Sequence, residues 1–274
     1  LLWEKGLVDL DAHPSQYLPS AKDLDSRITL RMLLQHTSGL PELTTPQFSE
    51  VPGKPDFPAA VAALAKKPLD FAPGTGEMYR NTGFVIASLI IEKLSGKPLH
   101  AFLQEEVFKP FGVETACCEL GNAPVEGLVT GYEKENGVIV PGRYLNALSF
   151  FGAGYIVGTV YDLQNFYRSV REKRLLQPET WDLLYTRSEV GQFGFGCIVF
   201  QWDGRLTYQN NGGHVGFRTI HRLLPDEDFD IILLSNTAWG DARTDIMNAV
   251  HKFYLDGTSA DLFQPEMDKG FATK

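Results

Sequence analysis

From Phe195 to Leu234 the chain alternates strand-length apolar runs with turn signals, a pattern that few arrangements other than an antiparallel meander can accommodate. Phe195 to Trp202 is rich in aromatic and β-branched residues, Asp203-Gly204 is a two-residue hairpin signal, and Arg205 to Tyr208 reads as the return strand. Phe217 to Leu224 and Phe229 to Leu234 are two further strands, joined by Pro225-Asp226-Glu227-Asp228. Just ahead of them, Gly194-x-Gly196 reads as a kink or a close backbone approach. A closing amphipathic helix is expected from about Asp241 to Tyr254, with Ile246, Met247 and Val250 on one face.

Upstream the period changes. Thr29 is placed to cap a short helix over Leu30 to Gln35, and Ala59 to Lys66 reads as an Ala-rich helix. Thr82 to Leu94 is apolar almost all round, so it is expected to be a buried helix, with Gly96 just past its end. Another helix is expected from Pro98 to Val107, a capped one from Thr159-x-x-Asp162 to Val170, and a short one from Pro178. Residues 41–58 read as a long surface loop. Leu1 to Gly6 reads as the last turn of a helix closed by a left-handed glycine. The fold class is therefore α+β: an antiparallel sheet flanked by helices plus a mostly helical lobe. The expected division is a helical, loop-rich lobe over 1–190, the sheet with its C-terminal helix over 191–256, and a tail over 257–274.

At 274 residues, 43% hydrophobic and 22% charged, the chain has the composition of a globular protein with a substantial core. Its net charge of −9, with no basic run, argues against a nucleic-acid partner. The longest apolar stretch, Phe84 to Ile91, is too short for a membrane span. Three cysteines, two of them adjacent, suggest neither a disulfide framework nor a zinc site, and no metal or organic cofactor is implied. Compartment stays open between extracytoplasmic and cytoplasmic.

Two segments could carry chemistry. In Tyr79-Arg80-Asn81, directly before the buried helix, a phenol could exchange protons and an amide could hold a carbonyl or an ammonium. On the residues alone, a packed tyrosine and an asparagine N-cap explain the same pattern. In Asn210-Asn211-Gly212-Gly213-His214, the glycines would let a strand approach a ligand closely and offer a backbone N–H to an oxyanion. A plain glycine-rich connection is the alternative there. Glu77 and Arg80 flank the tyrosine, and His36 is expected to fasten a loop.

Taken together, several segments resemble the serine β-lactamase-like family of class C β-lactamases, D-alanyl-D-alanine carboxypeptidases, penicillin-binding proteins, D-aminopeptidases and esterases. They are His36-Thr37-Ser38-Gly39-Leu40-Pro41, Pro73-Gly74-Thr75, Tyr79-x-Asn81-Thr82-Gly83, Ser95-Gly96-Lys97-Pro98, Gly212-Gly213 and Leu233 to Asn236. The resemblance covers essentially the whole chain. It implies a serine hydrolase working through an acyl-enzyme on a small-molecule or peptide substrate, with Tyr79 as the proton-handling catalytic residue. It also implies substrate binding by Asn81, Asn210 and Gly212, and an oxyanion donor at the Gly213 N–H.

The sequence departs from that family's pattern twice. Ser-x-x-Lys does not occur in these residues, and the resemblance puts it about a dozen residues before Leu1. Asn210 stands where the family has Lys or His; His214, four residues on, is the alternative candidate for that role. The 274 residues alone are thus expected to be inactive, whereas a longer chain would be a hydrolase. A non-catalytic relative that binds peptide or cell-wall ligands is the competing reading. Without the family's N-terminal strands, the sheet is expected to show an unpaired edge.

Overall fold

The computed structural model describes residues 1–43, 55–118, 125–143, 147–238 and 243–255. Most of the expected 41–58 loop and the whole 257–274 tail lie outside them. The chain divides into a unit Leu1–Ala238 and a unit Trp239–Lys274.

The helical part of the first unit follows the local signals closely. Gly6, at φ 66°, ends the opening turn. Its N–H bonds Trp3 O at 2.9 Å and the Leu7 N–H bonds Leu2 O at 2.9 Å, the paired hydrogen bonds of a left-handed glycine cap. Helix α1 (Leu30–Leu34) is capped by the Thr29 hydroxyl, which accepts from the Met32 N–H. Helix α2 spans Phe57–Leu64 and α3 spans Thr82–Ser95, closed by Gly96 at φ 69°. These helices enclose a core of Ile28, Leu33, Leu40, Phe57, Val61 and Ile86.

Gly83 lets α3 lie directly on α1. A Cβ there would sit 2.3 Å from the Leu33 carbonyl oxygen, which is backbone and cannot turn aside. Gly83→Ala is therefore expected to lower stability by about 1–3 kcal/mol despite alanine's better helix propensity. Urea unfolding at the wild-type midpoint or above would show that α1 and α3 are not in such contact.

The expected 98–107 helix splits into α4 (Leu99–Leu103) and a π-helical turn, Gln104–Phe108. The wider turn delivers Phe108, with Phe111 and Val113, into a second core beside Val170 and Trp181. Helix α5 (Val160–Arg171) carries the expected capping box: the Thr159 hydroxyl accepts from the Asp162 N–H, and the Asp162 carboxylate accepts from the Thr159 N–H. Helix α6 spans Pro178–Leu184.

The middle of the chain is more ordered than its composition suggests. Strands β1 (Cys117–Cys118) and β4 (Ile156–Val157) pair with each other, and β2 (Tyr132–Glu135) pairs with β3 (Val138–Pro141). The β2–β3 turn is Asn136-Gly137, both with positive φ, a hairpin signal that was there to be read.

The main sheet is antiparallel in the order β5-β6-β7-β8: Ile198–Trp202, Arg205–His214, Phe217–Leu224 and Phe229–Ser235. Two boundaries differ from expectation. β5 begins at Ile198, not Phe195, because Gly196 (φ 91°) turns the chain there and the Gly194 N–H bonds Cys197 O. β6 runs on to His214, not Tyr208, because the Val215-Gly216 turn zips its glycine-rich half onto β7, pairing His214 with Phe217. β8 is the outermost strand on its side of the sheet as described. In the second unit, helix α7 spans Arg243–Leu255.

Candidate active site

The Tyr79 loop is fastened to the end of α1 by backbone bonds. Met78 N–H bonds His36 O at 2.9 Å, Gly74 N–H bonds Thr37 O at 2.9 Å and Asp70 N–H bonds Gly39 O at 2.8 Å. Gly39 has φ 71°, and a Cβ there would meet Phe71 O at 2.1 Å, so only glycine fits. His36 is buried, with φ 59°, and its Nδ1 accepts the Arg80 N–H at 3.2 Å. That bond leaves Nε2 to carry the proton of the neutral ring. Burial pushes the His36 pKa down to about 4. His36 is therefore a neutral fastener of this loop near neutral pH.

Tyr79 is 55% exposed, and its hydroxyl donates to Asn81 Oδ1 at 3.1 Å. Its ring lies against His36, centroids 4.7 Å apart, and Phe193, 5.9 Å apart. Asn81 stands at the N-cap position of α3, where its C=O accepts the Val85 N–H at 3.1 Å, but its side chain makes no capping hydrogen bond. Its backbone N–H and its amide Nδ2 instead face Glu42 Oε2, at 3.0 and 3.5 Å. Burial, and then the Glu42 carboxylate, push the Tyr79 phenol above its ordinary value.

The second candidate segment lies on β6. Asp203-Gly204 closes a two-residue hairpin, so Trp202 and Arg205 are a hydrogen-bonded pair, and the odd-numbered residues of β6 direct N–H and C=O toward β5. Pairing with β5 stops at Ile198–Gln209. Beyond it, the peptide groups of Asn211 and Gly213 face the side that β5 has vacated. Asn210, Gly212 and His214 alternate onto one face of the strand. The Asn210 amide donates to Gly196 O at 2.5 Å. A Cβ on Gly212 would meet Thr219 Oγ1 at 2.1 Å, whereas one on Gly213 would meet nothing closer than 3.6 Å. The His214 ring packs edge-on to Phe150 at 5.2 Å.

Phe84 and Phe193 carry contacts from the Tyr79 loop toward the start of β5. Phe84, on α3 just after Asn81, lies 5.4 Å from His36, and its ring is 3.5 Å from where a Gly196 Cβ would be. Phe193 meets the His36 ring edge-on at 4.5 Å and bridges to Ile198 at the start of β5. Glu42, Phe84 and Phe193 were not legible as site residues, since no local spacing ties them to Tyr79. Among the described residues no group of three His, Cys, Asp or Glu could hold a metal ion, and no helix is long and apolar enough to cross a membrane.

A family model described as Beta-lactamase matches residues 1–252. A penicillin-binding protein of Bacillus subtilis (strain 168) is 26% identical over 268 residues, covering 86% of this chain and 57% of that protein. The chain spans about half the length of the curated relatives it matches so broadly, 57% in each case. The D-stereospecific amidohydrolase from Streptomyces sp. is similar with a TM-score of 0.77 at 26% identity, covering 94% of this chain and 82% of that one. D-amino acid amidase from Ochrobactrum anthropi SV3 complexed with D-phenylalanine shares the fold, with a TM-score of 0.70 at 22% identity over 88% of this chain and 73% of its own. The helical lobe and antiparallel sheet are thus those of β-lactamase/transpeptidase-like hydrolases.

Proposed function

Because the chain belongs to the Beta-lactamase family, we propose that it forms most of the cleft of a serine hydrolase that transfers an acyl group from an amide, ester or β-lactam through an acyl-enzyme. The observation that carries this reading is the Tyr79 hydroxyl on Asn81 Oδ1 at 3.1 Å, at the head of α3. The outward-facing Gly213 peptide supports it, as does the contact path through Phe84 and Phe193. In this reading the attacking hydroxyl comes from a Ser-x-x-Lys N-terminal to Leu1 in the intact protein. The serine proton passes to the lysine–Tyr79 pair as the serine oxygen bonds the acyl carbon. The Gly213 N–H receives the carbonyl oxygen as it gains charge, and Tyr79 returns a proton to the leaving nitrogen or oxygen. Asn81 and Gly212 shape the place of the substrate, and water then frees the acyl group. The names of the two solved relatives, a D-stereospecific amidohydrolase and a D-amino acid amidase, make D-amino-acid amides substrates to try.

The competing reading, a relative that binds peptides or cell-wall fragments without turnover, draws on Asn210. An amide there supplies no positive charge, and its nitrogen is committed to Gly196 O; His214, held against Phe150, is the alternative group for that place. Incubation of the intact protein with fluorescent penicillin, p-nitrophenyl acetate and D-alanyl peptides, followed by intact-mass measurement, decides between them. One acyl adduct on a single serine is expected. Peptide binding with neither an adduct nor released product from any of the three would favour the non-catalytic relative.

A further inference from the structure

Glu77 lies two residues before Tyr79, and its carboxylate reaches across to another part of the chain. Its Oε2 accepts the N–H groups of Gln192 at 2.8 Å and Phe193 at 2.9 Å. Two successive backbone N–H groups converging on one oxygen make an anion-binding nest, and charge-assisted bonds of this kind are stronger than neutral ones. The neighbouring Gly191 is shaped to the same carboxylate: a Cβ there would lie 1.9 Å from Oε2. The segment so held is itself tied to the sheet. Gln192 O accepts the Val199 N–H at 2.8 Å, and Phe193 bridges Ile198. Ile198 pairs with Gln209, the last residue of β6 that β5 covers before Gly213.

Glu77 thus has Tyr79 on one side and, through Phe193, the oxyanion strand on the other. Phe193 also touches the rings of His36 and Tyr79. We infer that Glu77 is a positioning residue, whose carboxylate clamps residues 191–193 and so sets the distance between the Tyr79 phenol and the Gly213 peptide. This rests on the hydrolase reading above and deepens it. Glu77 need not meet substrate: releasing the clamp lets the Tyr79 loop and the sheet drift apart, and a misplacement of about 1 Å in a catalytic array costs on the order of 100-fold in rate.

The test is a double-mutant cycle on acylation by p-nitrophenyl acetate in the intact protein, using Glu77→Leu, Tyr79→Phe and the pair. Glu77→Leu is expected to cut kcat about 10- to 100-fold with KM changed less than threefold, and to cost almost nothing further once Tyr79 is Phe. Glu77→Gln, which keeps one acceptor oxygen, should recover part of the loss. Gly191→Ala, which displaces the same carboxylate from the other side, should reproduce it and guards against a Glu77→Leu variant that does not fold. An equal loss from Glu77→Leu with and without the phenol means a merely structural role and overturns the inference, as does wild-type kcat in both Glu77→Leu and Gly191→Ala. Full activity in Tyr79→Phe alone is a different result: it removes Tyr79 from the chemistry, the part of the hydrolase reading on which the clamp depends.

Discussion

Tyr79→Phe in the intact protein is expected to lower the rate of acyl-enzyme formation by about 100- to 10,000-fold, the range that a positioned proton-transfer group contributes. The substitution deletes one oxygen and leaves the ring, so the packing on His36 and Phe193 is retained. The one bond lost is that to Asn81 Oδ1, at a residue 55% exposed, so stability should fall by about 1 kcal/mol or less. KM should move little, because a proton in flight is a property of the transition state rather than of the bound substrate. With burial and Glu42 both raising the phenol, essentially no phenolate exists near pH 7 in the groups described. The proposed lysine would act against both influences, which is why the serine motif and Tyr79 are expected to work as a unit. Pre-steady-state burst kinetics check the effect; an acylation rate within twofold of wild type would remove Tyr79 from the chemistry.

His36 should give the protein a marked sensitivity to acid. In the folded state its pKa is pushed down to about 4 by burial, whereas in the unfolded chain it titrates near about 6.5. As pH falls below the unfolded value, the unfolded chain takes up a proton that the folded chain refuses, so stability declines. The decline should level off only near the folded value and amount to about 3 kcal/mol for this residue. His36→Asn is the useful comparison, since asparagine tolerates the positive φ and can still accept the Arg80 N–H. Between pH 7 and 4 the wild type is expected to lose more stability than this variant by about that amount, measured by urea unfolding. Parallel stability curves for the two proteins would show that His36 is not held neutral by burial.

Much of the framework could be read from short stretches of sequence. The Gly6 cap, the Thr29 cap, the Thr159–Asp162 box, the left-handed Gly96 and the Asp203-Gly204 hairpin each depend on residues a few positions apart, and each forms as its local chemistry dictates. The Asn136-Gly137 hairpin belongs to the same class and could have been read in the same way. The lower reach of β6 could not. Asn211, Gly212 and Gly213 have little strand preference of their own, and they become strand because β7 supplies the partner.

The site divides along the same line. Tyr79 and Asn81 could be picked out by their place before a buried helix and by resemblance, and Gly212 and Gly213 by their glycines. The groups that hold and tune them arrive from far along the chain: Glu42 on Asn81 across 39 positions, His36 on Arg80 across 44, Glu77 on Phe193 across 116. The elements and the chemical types at the candidate site can be read locally, because capping, turn formation and burial period are short-range effects. The folded chain alone reveals that Glu42 faces Asn81, that Asn210 is spent on Gly196, and that Glu77 accepts the N–H groups of Gln192 and Phe193. Those pairings depend on how the cores bring remote backbone together, and no spacing along the chain encodes that.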